Sequence, residues 1–229
     1  LHGHDPNWQA KIDHRRKTEE GEIIVWKNGD KTLYPADDLP QHQRSGKSPR
    51  PSTPQRHETD LPPVLDYIPV SQGLHFPIDP QHKFDVFDHV RKKRGTGYSL
   101  HGEVTSPFDY FLDLHGHQEG LMALIDEPDR SIETLAHFTG LVRALAIEMC
   151  GVGVDAIKIS SPFAGAGFIS ADFYEEFVMP FEQEIASAIR SLNVHCYLHT
   201  CGAIGDRLEL MFETGVSGIE CLDPPPLGD

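Results

Sequence analysis

The sequence predicts an α/β protein of the (β/α)8, TIM-barrel type. From Pro62 onward, short apolar runs alternate with amphipathic stretches, a pattern that is typical of strand-helix units around a parallel sheet. Strand-helix steps follow one another in series, and the helices are long enough for right-handed crossovers. These observations favour a barrel, although periodicity alone does not separate a barrel from an open parallel sheet.

The elements of this region can be placed in order. Strands are expected over four runs: 98–104, 155–161, 194–202 and 218–223. A short helix should begin at Ser106 and Pro107, which supply a cap and a first turn. Longer helices are expected over 131–150, 170–192 with a kink at Pro180, and 205–215.

The chain ends soon after its last predicted strand. A complete eight-stranded barrel usually needs about 250 residues. Residues 62–229 provide only roughly six strands by this reading of the apolar runs. We therefore expect 62–229 to be a barrel domain that lacks its C-terminal portion.

The first 61 residues differ from the rest and are predicted to be an N-terminal extension. The segment 21–35 should form a hairpin around Asn28 and Gly29, because this dipeptide favours a two-residue turn between strands. The stretch 41–62 has Leu61 as its only large apolar residue and is rich in proline, serine and charge. It should be a mobile linker or irregular surface chain, since it offers little apolar area to offset the entropy of ordering.

Composition narrows the class of protein. The chain has 229 residues, 38% of them hydrophobic, and a formal net charge of -15. No apolar run approaches the roughly 20 residues that a membrane span requires, and the first residues lack the apolar core of a signal peptide. The four cysteines are too few for the disulfide framework of a secreted domain. We predict a cytoplasmic protein with reduced thiols, without nucleic-acid or membrane partners.

Alternation along the predicted strands assigns their faces. Leu100, Ile157 and Leu198 should face the helices, because successive side chains of a strand point to opposite sides. The inward set is then polar: Ser99, His101, Glu103, Lys158, Ser160, Tyr197, His199 and Cys201. One such residue is most often a core polar group satisfied by hydrogen bonds. Polar residues on three neighbouring strands, at the end where barrel enzymes build their sites, favour a functional site.

The histidine and cysteine of "YLHTCG" are the sharpest pair in that set. His199 and Cys201 stand two residues apart, so their side chains share a face, and imidazole nitrogen and thiolate sulfur are good Zn²⁺ ligands. A catalytic zinc takes three protein ligands and one open position. The third ligand remains open among Cys221, Glu220 and a residue beyond Asp229. The alternative is a metal-free strand end, with His199 hydrogen-bonded and Cys201 acting as a small hydrophobe.

Three segments resemble one known family. "SPFAGAGFISADFYEEFVMPFEQEI", "YLHTCG" and "TGVSGIECLDPP" are similar to successive blocks of the uroporphyrinogen decarboxylase superfamily, whose fold is a (β/α)8 barrel. The H-x-C-G block resembles the branch of zinc-dependent, corrinoid-linked methyltransferases. The resemblance covers 98–229 clearly and 62–97 faintly, and it does not extend to the first sixty residues.

The resemblance implies zinc ligands at His199 and Cys201, completed in that branch by a later cysteine that would fall past Asp229. It also implies a corrinoid co-substrate, carried in some systems by a partner protein. The decarboxylase itself uses an arginine-rich N-terminal motif and a serine before its "HAG" block. This chain lacks that motif and has Pro162 at the place of the serine. These departures count against porphyrinogen chemistry.

We therefore carry three hypotheses. The first is a zinc-dependent methyltransferase that moves a methyl group between a corrinoid and a thiol or a methylated small molecule. His199, Cys201 and Cys221 are its candidate ligands, Glu103 or Glu220 a ligand or general base, and His101 and Tyr197 its hydrogen-bonding groups. The second is a cofactor-free uroporphyrinogen-type decarboxylase. The third is a catalytically inactive barrel that serves as a binding partner. The oligomeric state, including a homodimer, is left open.

Overall fold

The computed structural model describes residues 8–36, 41–43, 45, 61–70 and 74–229. No helix within these ranges is long and apolar enough to cross a membrane. All four cysteines lie within them and form no disulfide with one another.

The N-terminal part forms an antiparallel sheet. After a one-turn 3-10 helix, Trp8–Lys11, its strands pair in chain order: β1 (Ile12–Thr18), β2 (Gly21–Trp26), β3 (Lys31–Pro35) and β4 (Gln41–Gln43). The loop between β2 and β3 spans residues 27–30, longer than the two-residue turn expected, and Gly29 in it has φ 87°. The expectation of irregular chain is wrong for 41–43, which pair with β3. Residues 44 and 46–60 lie outside the described ranges.

Two strands and a helix follow in the next segment. β5 (Tyr67–Val70) and β6 (Leu74–Pro77) pair with each other in antiparallel fashion, and α1 (Asp85–Arg94) comes after them. The Thr105 hydroxyl donates to the Pro69 carbonyl at 3.3 Å. This contact joins the β5–β6 hairpin to the end of the first strand of the sheet described next.

The main sheet is parallel. Its strands are β7 (His101–Thr105), β8 (Ala156–Ser160), β9 (His195–His199) and β10 (Gly218–Glu220), in the spatial order β10-β9-β8-β7. Each strand is shorter than the sequence predicted: β7 begins three residues later, β8 loses one residue at each end, and β9 and β10 end three residues earlier. Of the roughly six barrel strands expected, four lie in this sheet within the described part of 62–229. The same part of the chain contains two further strands, β5 and β6, which form a separate antiparallel pair.

Helices connect these strands. They are α2 (Pro107–His115), α3 (His117–Asp126), α4 (Pro128–Gly151), α5 (Ala171–Phe177), α6 (Met179–Ser191) and α7 (Leu208–Glu213), the last preceded by the 3-10 turn Gly205–Arg207. Ser106 caps α2 as predicted, accepting from the Asp109 N–H at 3.2 Å. The expected kinked helix over 170–192 is two helices that meet at Val178. Pro180 lies in the first turn of the second, where its missing N–H costs nothing.

The two faces of the parallel sheet differ sharply, and the predicted alternation is confirmed. The side facing the helices is apolar and almost completely buried: Val104, Ile157, Ile159, Cys196 and Leu198. At Gly102 the Met149 side chain of α4 occupies the space that a Cβ would fill, so helix and strand pack closely there. The opposite face carries the ionisable residues. The fold is therefore an α/β layer with its core on one side and its chemistry on the other.

A polar cluster lies buried near the strand ends, on the side of the parallel sheet that faces the helices. The Ser106 hydroxyl donates to Asp109 Oδ2 at 2.7 Å, and the Tyr174 hydroxyl donates to Glu182 Oε2 at 2.7 Å. The Ser161 hydroxyl donates to Ser106 Oγ at 3.1 Å. Burial raises the pKa of Asp109 to about 8 and that of Glu182 to about 7. Asp109 is therefore mostly protonated at neutral pH, and Glu182 is about half protonated.

This buried pair should make the fold less stable as the pH rises. Folding raises both pKa values, from 3.8 and 4.5, so the stabilisation is complete below those values. It is lost as the pH rises through about 7 for Glu182 and about 8 for Asp109. Each group contributes a slope of about 1.4 kcal/mol per pH unit across its window. Urea unfolding over a pH series measures the slope.

Asp109→Asn should remove the Asp109 part of that slope and leave the Glu182 part. Asp88→Asn, at an exposed position of α1, is the matched control and should leave the slope as it is in the parent. A parent protein whose free energy of unfolding is flat between pH 5 and pH 8, or an Asp109→Asn variant with an unchanged slope, would contradict the assignment.

Candidate metal centre

The site lies at the C-terminal edge of the parallel sheet. Thr105, Ser160, His199 and Glu220 stand in register in the last row of the four strands. Cys201 follows two residues after His199, and Cys221 follows Glu220. Both cysteines lie just beyond their strands, whereas the sequence placed them inside. Parallel strands bring these ends together because all of them run in the same direction.

The three soft donors converge. The ligand atoms of His199, Cys201 and Cys221 all lie within 4.8 Å of one another. His199 Nε2 is 3.3 Å from Cys201 Sγ. With Zn–N near 2.0 Å and Zn–S near 2.3 Å, a tetrahedral site separates N and S ligands by about 3.5 Å. One imidazole nitrogen and two sulfurs at this spacing fit a zinc site that keeps a position open.

Asp223 contacts both of the loops that carry Cys201 and Cys221. Its Oδ2 accepts from the Gly202 N–H at 2.8 Å, and its Oδ1 lies 3.6 Å from Cys221 Sγ. Cys221 itself has φ 66°, a left-handed conformation that is uncommon outside glycine. Burial, with Cys201 and Asp223 nearby, raises the pKa of the Cys221 thiol to about 11. A metal that binds this thiol as thiolate therefore displaces a proton.

The loop after β8 packs against the backbone that carries Cys201. Ala166 N–H donates to the Ala203 carbonyl at 2.9 Å. A Cβ at Gly165 would lie only 2.5 Å from the Cys201 carbonyl oxygen, so this close approach requires glycine. Arg207, completely buried, donates to the Ala164 and Ile169 carbonyls at 2.8 and 2.9 Å. The backbone that carries Cys201 therefore packs against a loop in which the Ala164 and Ile169 carbonyls accept hydrogen bonds from Arg207.

Four charged or polar side chains form a line across the inner face. Lys158 Nζ lies 3.1 Å from Glu103 Oε2 and 3.2 Å from Glu220 Oε1. The same Glu220 oxygen is 3.0 Å from His199 Nδ1. Lys158 thus links Glu103 to Glu220, and Glu220 contacts the candidate ligand His199. The predicted residues Glu103, Glu220 and His199 therefore belong to one connected set of contacts.

The charges of this line stabilise one another. Burial alone would raise the pKa of Glu103, but the Lys158 ammonium outweighs it and holds that pKa below its ordinary value. Burial alone would lower the pKa of Lys158, but the carboxylates of Glu103 and Glu220 raise it above its ordinary value. Glu103 and Lys158 are therefore both charged at neutral pH and form an ion pair on the inner face.

His101 and Tyr197 lie on the same inner face, His101 at the start of β7 and Tyr197 in the middle of β9. His101 Nδ1 is 3.1 Å from the Tyr197 hydroxyl, and the other ring nitrogen is 2.7 Å from Ser99 Oγ. Burial and the charge of Glu220 raise the pKa of Tyr197, so the phenol remains protonated at neutral pH. The structure joins these two residues to each other, while Ser99 precedes the observed strand rather than belonging to it.

Three residues that matter to the geometry were missed by the sequence reasoning. Asp223 was placed at the end of the predicted strand 218–223, with no role of its own. Gly165 lies in a glycine-rich loop with nothing to distinguish it from Gly167. Arg207 falls in an amphipathic stretch where an arginine is normally solvated. Their importance comes from contacts with other loops, which a single sequence does not display.

The fold and the site together define an α/β protein with a His-Cys-Cys cluster at the C-terminal edge of a parallel sheet. Residues 56–223 match the uroporphyrinogen decarboxylase (URO-D) family. This span includes all four parallel strands and the three candidate ligands. The chain therefore belongs to the uroporphyrinogen decarboxylase family.

Curated relatives are methyltransferases by name. Over 76 residues the chain is 38% identical to the methylcobamide:CoM methyltransferase MtbA of Methanosarcina acetivorans, covering 33% of this chain and 22% of the relative. Over 130 residues it is 27% identical to the methylcobamide:CoM methyltransferase MtaA of Methanosarcina barkeri, covering 57% of this chain and 38% of the relative. The resemblance to the methyltransferase branch is thus confirmed.

A solved structure agrees with these relatives. The fold matches a methyltransferase from Methanosarcina mazei with a TM-score of 0.55 and 25% identity, over 61% of this chain and 42% of that one. The chain thus spans between 22% and 42% of the length of these three proteins.

Proposed function

We propose that this chain forms part of a zinc-dependent methyltransferase that moves a methyl group between a corrinoid and a thiol or a methylated small molecule. The observation that carries the proposal is the convergence of His199, Cys201 and Cys221 within 4.8 Å at the strand ends. The names of the curated relatives, methylcobamide:CoM methyltransferases, support the corrinoid and the thiol as co-substrates. In this proposal the parallel sheet is one wall of a (β/α)8 barrel to which residues 62–229 contribute.

The proposed roles follow from the contacts. His199, Cys201 and Cys221 would hold the ion, and zinc, when bound, would act as a Lewis acid that lowers the pKa of a substrate thiol. Glu220 accepts a hydrogen bond from the Nδ1–H of His199, which leaves Nε2 free as the ligand atom. In this arrangement Glu103 is the remaining inner-face carboxylate for proton exchange with substrate.

His101 and Tyr197 are proposed to contact the substrate. Both have polar atoms on the inner face, and Tyr197 keeps its proton at neutral pH because its pKa is raised by burial and by Glu220. A protonated phenol can donate a hydrogen bond to an anionic or carbonyl oxygen of a small molecule. The two residues would therefore orient the part of the substrate that does not react.

The charge of the inner face argues against porphyrinogen decarboxylation. The described strands place one ammonium, Lys158, between two carboxylates, Glu103 and Glu220, on this face. A substrate with eight carboxylates needs a surplus of basic groups, and here Lys158 is already neutralised. The preference for methyl transfer therefore has an electrostatic basis in addition to the thiol cluster.

A direct assay tests the proposal. The zinc-loaded full-length protein is mixed with methylcobalamin and a thiol such as coenzyme M, and loss of the methylcobalamin absorbance is followed together with the methyl thioether by mass spectrometry. We expect turnover that depends on zinc and disappears in His199→Ala. Zinc-independent release of CO₂ from uroporphyrinogen would support the decarboxylase instead. Zinc binding without turnover of any methyl donor would support the inactive binding partner.

A further inference from the structure

Lys158 has an unusual position for a lysine on a barrel-type strand. Its side chain is only 20% exposed, and it contacts two carboxylates from two different strands, Glu103 of β7 and Glu220 of β10. Buried ammonium groups are costly unless they are paired, so both contacts are needed to keep Lys158 charged in place. The question is what this arrangement achieves.

The register shows how far Lys158 reaches. It stands in one row with Glu103 and Tyr197, whereas Glu220 belongs to the next inward row and lies two strands away from β8. Neighbouring strands lie about 4.8 Å apart, so the lysine and glutamate side chains together bridge about 10 Å across β9. Gly218 stands opposite Tyr197 in that row and adds no side chain to block the path.

The same carboxylate oxygen connects Lys158 to the candidate metal ligand. Glu220 Oε1 accepts from Lys158 Nζ at 3.2 Å and lies 3.0 Å from His199 Nδ1. Because Glu220 Oε1 also accepts from the Lys158 ammonium, its contact with His199 favours the tautomer with the ring proton on Nδ1. The lone pair of His199 is then on Nε2, the nitrogen that lies 3.3 Å from Cys201 Sγ.

We propose that Lys158 is a positioning residue for the metal ligand His199. By holding Glu220 across β9, Lys158 keeps the carboxylate on Nδ1, fixes the ring tautomer and directs Nε2 towards the two thiols. Without the ammonium, the carboxylates of Glu103 and Glu220 face each other uncompensated, and Glu220, 41% exposed, turns towards water. This inference rests on the proposed function only in taking zinc as the ion that His199 binds.

The test uses Lys158→Met, which keeps most of the side-chain length and removes the charge. Long-range ¹⁵N–¹H correlation spectra of metal-free, ¹⁵N-histidine-labelled protein report the tautomer, at a pH above the ordinary imidazole pKa of about 6.5. The chain has 14 histidines, and the spectrum of His199→Ala identifies the His199 signals. We expect the Nδ1–H tautomer in the parent and a mixture of both tautomers in Lys158→Met.

Zinc affinity gives the second readout. Competition with a chromophoric chelator should show zinc bound about tenfold more weakly in Lys158→Met, at the low end of the 10–100-fold loss typical of residues that orient metal ligands. Lys158→Arg should restore both the tautomer and most of the affinity. Lys83→Met removes a lysine that is paired with Glu148 at 2.7 Å, and it should change neither readout.

The outcomes separate this inference from the proposed function. An unchanged His199 tautomer together with an unchanged zinc dissociation constant in Lys158→Met would overturn the positioning role. If the parent binds no zinc, the proposed function fails, but the tautomer of metal-free protein still tests Lys158. Should Lys158→Met fail to fold, Lys158→Gln also removes the charge, and the same shift towards mixed tautomers is expected.

Discussion

Replacing Cys201 with serine, or His199 with alanine, should weaken zinc binding more than about 100-fold. Loss of a group that merely orients a ligand already costs about 10–100-fold, and a lost ligand removes a metal bond outright. Cys221→Ser should have an effect of the same order, because its sulfur lies within 4.8 Å of the other two donor atoms. Zinc content after dialysis, with the dissociation constant from chelator competition, is the measurement.

Each of these substitutions has a matched control in the same chain. Cys150→Ser removes a half-buried thiol from α4, and His89→Ala removes an exposed imidazole from α1. Both controls should retain the zinc affinity of the parent. If Cys201→Ser and His199→Ala bind zinc as the controls do, the metal site lies elsewhere. If Cys221→Ser alone has no effect, the third ligand is Glu220 or a residue beyond Asp229.

Replacing Arg207 with methionine should lower the free energy of unfolding by about 3 kcal/mol or more. The Arg207 side chain is completely buried and donates to the Ala164 and Ile169 carbonyls as well as to Asp206. Its guanidinium also lies 5.8 Å from the ring centre of Tyr174. Losing these partners leaves buried carbonyls unsatisfied, at about 1–3 kcal/mol each. Urea unfolding gives the change directly.

Arg143→Met serves as the control for Arg207→Met. Arg143 pairs with Glu184 at 3.3 Å on the surface, where both side chains are about half exposed. Exposed ion pairs contribute roughly 0–1 kcal/mol, so the control should be nearly neutral. Since the loop tied by Arg207 packs against the backbone near Cys201, Arg207→Met should also weaken zinc binding. Equal stabilities for the two variants would show that the buried contacts of Arg207 contribute little.

The sequence predicted which residues lie on each face of the sheet better than it predicted where each strand ends. Alternation with a period of two identifies Glu103, Lys158, Tyr197 and His199 as inward, because the pleat of a strand imposes that period on any sequence. The end of a strand depends on where its neighbours stop pairing. The extent of β9 was therefore overestimated, and Cys201 lies beyond it.

The same limit explains what was missed in the site. The three candidate ligands were named from spacing and from the family resemblance. Their support comes from contacts that join distant segments: Asp223 with Gly202, and Arg207 with Ala164. Such contacts are set by how the loops fold over one another, and no local pattern of residues records them. Burial of Arg207 is the clearest example, since an arginine next to Asp206 normally indicates a solvated pair.

Zinc K-edge X-ray absorption on the purified protein, combined with metal quantitation, tests the central claim most directly. We predict one zinc per chain, with at least two sulfur ligands at about 2.3 Å and one or more nitrogen ligands at about 2.0 Å. The sulfur contribution should fall in Cys201→Ser and in Cys221→Ser. Protein that takes up no zinc, or zinc whose ligands include fewer than two sulfurs, would contradict the assignment of His199, Cys201 and Cys221 as a metal centre.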